Sequence, residues 1–347
     1  LLRHLILAAA IAAAPAAAFA GDLTPEAARE VTDQIIAGMD TYIDPAVAAR
    51  VQASLRAHRE DYAGLGSREA FAAAVSKDLY AASHDGHLKV SLKTLEATRA
   101  AALTPEQEEL ADQRAAYGLS TVRRLPGNIG YLKLSYLENG EAGARLVDTA
   151  LGLLRHTDAL IIDLRENRGG GGRADEEIIG HLAGKPIPMA RITWRNPDGT
   201  TTVDQREAAR PAGGPLYPDR PVFVLVSHKT FSAAEELVYD LKASGRAVIV
   251  GETTGGGANP ANRPVPLGYG LRVFIPNGHV EHPLTHANWE GAGIAPDVPV
   301  SVDQALVEAY GRALKAARPL VATPASEKER AAAIADPRAA LIADQSL

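Results

Sequence analysis

Residues 221–237 read "PVFVLVSHKTFSAAEEL", and the fold turns on how this stretch is parsed. Its first six residues are apolar without alternation, the pattern of a strand buried on both faces. From Ser232 onward, "SAAEELVYDLKASG" has the spacing of an amphipathic helix. Ser232 stands where one becomes the other. It suits a capping box, with Glu235 three residues on. It equally suits a nucleophile, because the first amides of a helix have no intrahelical partner and can hold an oxyanion. Both readings share one geometry. A base separates them, since an unassisted hydroxyl is a poor nucleophile near neutral pH.

The alternation extends in both directions. "NIGYLKLSYL" is strand-like, "AGARLVDTALGLLRHT" helical, and "ALIIDLRENRGGGG" a buried strand that ends in glycines. "RADEEIIGHLAG" is helical, and after Ser232's helix comes "AVIVGETTGGGANP", a strand with a second glycine loop. Near-continuous Val/Ile/Leu strands separated by helices mean α/β architecture, a mostly parallel sheet covered by helices. The main domain is expected at 118–312. Before it, "TPEAAREVTDQIIAGMD" and "SREAFAAAVSKDLYAAS" begin with Thr24 and Ser67 as N-caps and place apolar residues on one face. An N-terminal helical subdomain is expected at 21–117, leading through "HDGHLKVSL" into a short strand. Residues 313–347, charged and alanine-rich, read as a loose helix or tail.

The chain has 347 residues, 46% hydrophobic and 22% charged, with a net charge of −6 and no cysteine. The charge argues against duplex DNA or a polybasic membrane contact. The missing thiols exclude disulfides, thiolate metal sites and a cysteine nucleophile. Residues 1–20, "LLRHLILAAAIAAAPAAAFA", have the layout of a cleaved secretory signal: Arg3, an apolar core, then Ala18-Phe19-Ala20. The alternative, a membrane anchor, is disfavoured by Pro15 and by length, since a span needs about 20 apolar residues. The expectation is a periplasmic or secreted protein with no stable membrane insertion.

Three further features carry chemistry. Gly169–Gly172 follow the carboxyl end of a strand, where ligands bind in open α/β sheets. They read as a loop that brings backbone amides close to a substrate, or as a plain connector. No Lys-Ser/Thr follows, so a phosphate loop is excluded. His84 and His87 form one histidine group, and His279, His282 and His286 another. Pro283 and the lack of a carboxylate frame disfavour metal binding, so no metal and no cofactor are expected.

Four ordered segments, "ALIIDLRENRGGG", "SHKTFSAAEELVYDL", "AVIVGETTGGGANP" and "WEGAGIAPDV", resemble the C-terminal-processing serine peptidase family. The closer likeness is to the branch with interphotoreceptor retinoid-binding protein and the tricorn core protease. The resemblance spans about 83–300 and implies a ClpP/crotonase-like spiral of βαβ units. Dyad members carry a lysine in the second glycine loop. The matching position here is Gly256 or Gly257, and Lys229 and Lys242 do not match the motif. Tricorn-like members use serine, histidine and glutamate, which implies Ser232 as nucleophile, His87 as base and Glu290 as the residue orienting it. Backbone amides of Ala233 and of Gly169 or Gly170 would form the oxyanion hole. Where tricorn-like sites place a hydroxyl before the histidine, this chain has Gly86, so Asp85 or Glu290 must orient His87. Many members insert a PDZ domain, but Leu92 to Gly118 is too short for one. Peptide binding is then expected in the cleft between the helical subdomain and the sheet.

The resemblance implies a serine endopeptidase acting on a peptide or protein, with no nucleic-acid partner. Oligomeric state is left open, homo-oligomers being common among related folds. The competing reading is a binding module for an apolar ligand or peptide on the same scaffold, since fold alone does not fix function. An acyl-CoA enzyme fits poorly with export.

Overall fold

The computed structural model describes residues 22–92, 104–261 and 263–345; the expected signal at 1–20 lies outside them. The centre is a six-stranded sheet. Its strands are β2 (Leu119–Leu125), β3 (Ile129–Leu134), β4 (Ala159–Asp163), β7 (Val222–Val226), β8 (Val248–Gly251) and β12 (Val298–Pro299). Their spatial order is β12-β8-β7-β4-β3-β2. All neighbours are parallel except β2 and β3, which form a hairpin.

Every residue of β4 and β7 is buried, and successive residues serve two different cores. Leu160, Ile162, Val222 and Val224 face helices α6 (Glu141–Leu153), α7 (Arg173–Leu182) and α8 (Ala233–Ala243). Ala159, Ile161, Phe223 and Leu225 face α9 (Val302–Ala316). This two-sided burial is why the strands read as unbroken apolar runs. Each fully buried Val, Leu or Ile contributes roughly 1.5–3 kcal/mol.

The N-terminal helices follow the expected caps. Thr24 caps α1 (Pro25–Gly38) and Ser67 caps α4 (Arg68–Ser83), each accepting from an amide three residues on. Between them lie α2 (Pro45–Ala57) and α3 (Arg59–Ala63). Val31, Ile35, Phe71, Val75 and Leu79 are fully buried together. Their core also contains Leu267, Leu271, Val273 and Ile275 from far along the chain. Strand β1 (Lys89–Leu92) pairs antiparallel with β10 (Leu271–Phe274), which pairs with β9 (Val265–Gly268). Packing therefore ties residues 267–275 to the N-terminal helices. Helix α5 (Pro105–Arg114) has a complete capping box between Thr104 and Gln107.

A third sheet was not foreseen. Strands β5 (Arg191–Arg195) and β6 (Thr201–Gln205) form a hairpin, with β11 (Gly278–Glu281) on the other side of β5. In the C-terminal stretch, expected as a loose helix or tail, the helical alternative holds, and the helices pack. The stretch forms α10 (Pro324–Ala335) and α11 (Pro337–Ala343), which bury Ala333 and Leu341 against α9. Among the described residues, no helix is long and apolar enough to cross a membrane.

Candidate active site

Ser232 is the N-cap of α8, with φ 56° and ψ −130°. That is a costly conformation for a residue with a Cβ, of the kind held in place at functional sites. The turn before it is firmly fixed. Thr230 Oγ1 donates to the Leu164 carbonyl at 2.8 Å, Ser227 Oγ to the Arg165 carbonyl at 2.5 Å, and the Phe231 amide to the Asn167 carbonyl at 3.1 Å. Glu235 supplies its half of the expected capping box: its Oε2 accepts from the Ser232 amide at 3.0 Å, while its own amide donates to the Ser232 carbonyl at 2.7 Å.

The first glycine loop lies directly on this serine. A Cβ at Gly169 (φ 101°) would sit 2.7 Å from Ser232 Cβ and 3.1 Å from the Ala233 nitrogen. A Cβ at Gly170 (φ 139°) would sit 1.9 Å from the Leu137 carbonyl oxygen. Only glycine allows this approach. The two expected donors are not equivalent. The Gly169 amide already donates to Asn167 Oδ1 at 2.9 Å. Among the described residues, the Gly170 and Ala233 amides have no protein acceptor. Gly169 is thus corrected to a packing residue, and the free pair beside Ser232 is Gly170 and Ala233.

His87 follows α4 in a turn built by Asp85, whose Oδ1 accepts from the His87 amide at 2.8 Å and the Leu88 amide at 3.3 Å. Its ring lies against Phe231 (centroids 4.5 Å apart) and Phe274 (5.4 Å). Burial, with a smaller push from Lys89, lowers its pKa to about 4, so the ring is neutral at pH 7. Its Nδ1 is buried and has no partner among the described residues. Glu290 Oε2 accepts from the Ala258 and Asn259 amides, both at 2.7 Å, and Oε1 from the Gly86 amide at 3.1 Å. Burial and then Asp85 raise its pKa to about 7.

A nitrogen of His87 and carboxylate oxygens of Asp85 and Glu290 all lie within 4.8 Å of one another. The structure therefore brings His87 and Glu290 together, and Ser232 together with Gly170 and Ala233. Phe231 bridges the groups: it precedes Ser232 and packs on the imidazole. No hydrogen bond joins His87 to Ser232 or to Glu290 among the described residues. This pair of carboxylates with one imidazole is a poor cation site, because Asp85 already accepts from Tyr42, Asn259 and two amides. The histidines after residue 278 do not converge: His286 is exposed, while His282 is buried and accepts from the Leu284 amide.

Three features escaped the sequence. Glu235, read as a first-turn residue, is a buried strut. Besides the Ser232 amide it accepts from the Gly256 and Gly257 amides, each at 2.8 Å, and from the Thr254 hydroxyl. Burial raises its pKa against the pull of these donors. Phe231 fills the space beside the second glycine loop: a Cβ at Gly257 would sit 2.1 Å from its Cζ. Lys229 and Lys242 are held elsewhere, by Glu166 and Asp297, while Lys89 Nζ lies 5.8 Å over the Phe231 ring. Finally, the cleft that Ser232 opens on is not the one expected. About 640 Å³ in volume, it is lined by Ser232, Ala233, Gly170, Trp194, Arg206 and Pro260 among others, and by nothing from the N-terminal helices. The β5–β6 hairpin forms its far wall instead.

Residues 128–300 match peptidase family S41. Over 196 residues the chain is 29% identical to the carboxy-terminal processing protease CtpB of Bacillus subtilis, covering 52% of this chain. Over 174 residues it is 31% identical to a carboxyl-terminal-processing protease of Picosynechococcus, covering 49% of this chain. Either alignment spans 38% of the relative's length. A solved protein of Parabacteroides merdae has a similar fold, with a TM-score of 0.58, 20% identity, and coverage of 84% of this chain and 97% of that one. With its glycine loops, its serine turn and this matched segment, the chain belongs to peptidase family S41.

Proposed function

We propose that this chain is a serine endopeptidase that cuts peptide or protein substrates bound in the cleft beside Ser232. The observation that carries the reading is the strained serine at the start of α8, flanked by the free amides of Gly170 and Ala233. Ser232 Oγ attacks the scissile carbonyl. The oxyanion that forms accepts from those two amides, a type of interaction worth about 3 kcal/mol of barrier per donor. His87, neutral at working pH, takes the serine proton and returns it to the leaving amine. Glu290 stabilises the imidazolium across the short gap between them. Water then repeats the sequence on the acyl-enzyme. Hydrogen bonds of this kind are commonly long in unliganded sites and tighten once substrate is bound. The names of the relatives, processing proteases, support a protein substrate. The export-like pattern of residues 1–20 supports action in the periplasm or outside the cell.

Labelling by a fluorophosphonate tests this. The wild type should label and Ser232→Ala should not, and His87→Ala should lose turnover while staying folded. A folded wild type that neither labels nor cleaves peptides leaves the scaffold as a binding module.

A further inference from the structure

Beneath the cleft, one arginine ties three parts of the site together. Arg206 directly follows β6 on the hairpin wall. Its side chain is only 10% exposed. Nη2 donates to the Gly172 carbonyl and to Asp175 Oδ1 at 2.6 Å, Nη1 to Glu236 Oε1 at 2.7 Å, and Nε to Glu176 Oε1 at 3.2 Å. Gly172 closes the loop that carries Gly170, Asp175 and Glu176 open α7, and Glu236 lies in the first turn of α8, four residues after Ser232. The fit is close: a Cβ at Gly172 would sit 2.3 Å from Arg206 Nη2 and 2.4 Å from Cζ.

We propose that Arg206 is a positioning residue that clamps the Gly170 loop to the nucleophile helix and so sets the spacing between the two oxyanion donors. The inference rests on reading Ser232 as the nucleophile. A planar guanidinium suits the task because its donors leave in fixed directions, which lysine cannot reproduce. The charge matters as well. Three carboxylates converge on this one cation, and even with it present burial lifts Glu236 to about 7 and Asp175 to about 6. Without it, their mutual repulsion drives the Gly172 end of the loop and the α8 end apart until protons bind. The clamp also couples the cleft wall to the chemistry, because whatever moves β6 pulls on Gly172 and Glu236 together.

The test compares wild type, Arg206→Ala, Arg206→Lys and Gly172→Ala. The first three are assayed with and without millimolar guanidinium. Arg206→Ala is expected to lower kcat by about 10²-fold, the size of a lost oxyanion donor, with KM little changed. Guanidinium should restore part of the rate, and Arg206→Lys should not recover it. Gly172→Ala, which keeps the arginine but pushes into it, should show a similar kcat defect. Hydrogen exchange should speed up at residues 169–173 and 233–236 in Arg206→Ala. Unchanged kcat in Arg206→Ala overturns the clamp and leaves the peptidase reading intact. If the wild type itself neither labels nor turns over, the peptidase reading has failed, and exchange decides the clamp alone. Faster exchange at both segments then supports it, and unchanged exchange overturns it.

Discussion

Glu235→Gln is the smallest change that tests how the serine turn is held. Glu235 Oε2 serves the Ser232 and Gly257 amides, at 3.0 and 2.8 Å. Oε1 serves the Gly256 amide at 2.8 Å and the Thr254 hydroxyl. Glutamine is isosteric but replaces one oxygen with an amide that donates. In either orientation, two buried donors lose their acceptor and face another donor. Hydrogen bonds to a charged group contribute about 1.5–3 kcal/mol each, so two give roughly 3–6 kcal/mol. Local relaxation reduces this toward about 3 kcal/mol, still at the severe end for one substitution. With a urea m-value near 3 kcal/mol/M, the midpoint should fall by about 1 M. Equilibrium urea unfolding followed by tryptophan fluorescence reads it directly. Turnover should fall as well, because the same carboxylate holds Ser232 at positive φ. A midpoint within about 0.2 M of wild type, roughly 0.6 kcal/mol, would refute the argument that this carboxylate is the strut of the turn.

Ser232→Gly should abolish turnover yet raise stability by about 0.5–1 kcal/mol, since glycine relieves the positive φ and loses little as an N-cap; a thermal melt shifted downward would contradict this. Gly257→Lys should not create a working dyad, because the Phe231 ring occupies the path of the new side chain; only with Phe231→Ala added should the variant fold to near wild-type stability in urea. The His87 ring should titrate near pH 4 in the folded protein by NMR, and a midpoint near the ordinary 6.5 would show that the imidazole is not desolvated. The linkage has a definite sign. Between those two values the unfolded chain binds more protons at this site, so the His87 contribution to stability falls as pH drops from about 6.5 to 4. Glu290, raised to about 7, has the opposite sign: its contribution falls as pH rises toward 7.

The central sheet was legible because its strands bury both faces, so "ALIID" and "VFVLV" carry no polar residue until the last position of β4. Helix starts were legible because Thr24 and Ser67 act on amides three residues away. The β5–β6 hairpin was not. Strand β6 is exposed at every position, so "TTVDQ" shows no apolar face for periodicity to detect. Ser232 was singled out as a candidate from its place between strand and helix, and His87 and Glu290 only through resemblance. Glu235 was half read: its capping bond is local, but its bonds to residues 254–257 span about twenty positions and leave no trace in spacing. Arg206 shows the same limit, with partners 30 to 34 residues away in either direction. The split between the Gly169 and Gly170 amides depends on one Asn167 side chain, which no glycine motif encodes.

The pairing of β1 with β10 bears on how this chain can be cut into parts. The matched segment 128–300 looks like a portable unit, yet Leu267, Leu271, Val273 and Ile275 are buried against residues 23–92, the N-terminal helices and β1. Expressed by itself, that segment would present these four side chains to water and leave an open strand edge at β10, a template for aggregation. It would also lack His87. Excision should therefore yield insoluble material rather than a minimal peptidase, and a swap with a relative must carry the leading helices and the β9–β10 hairpin across as one piece.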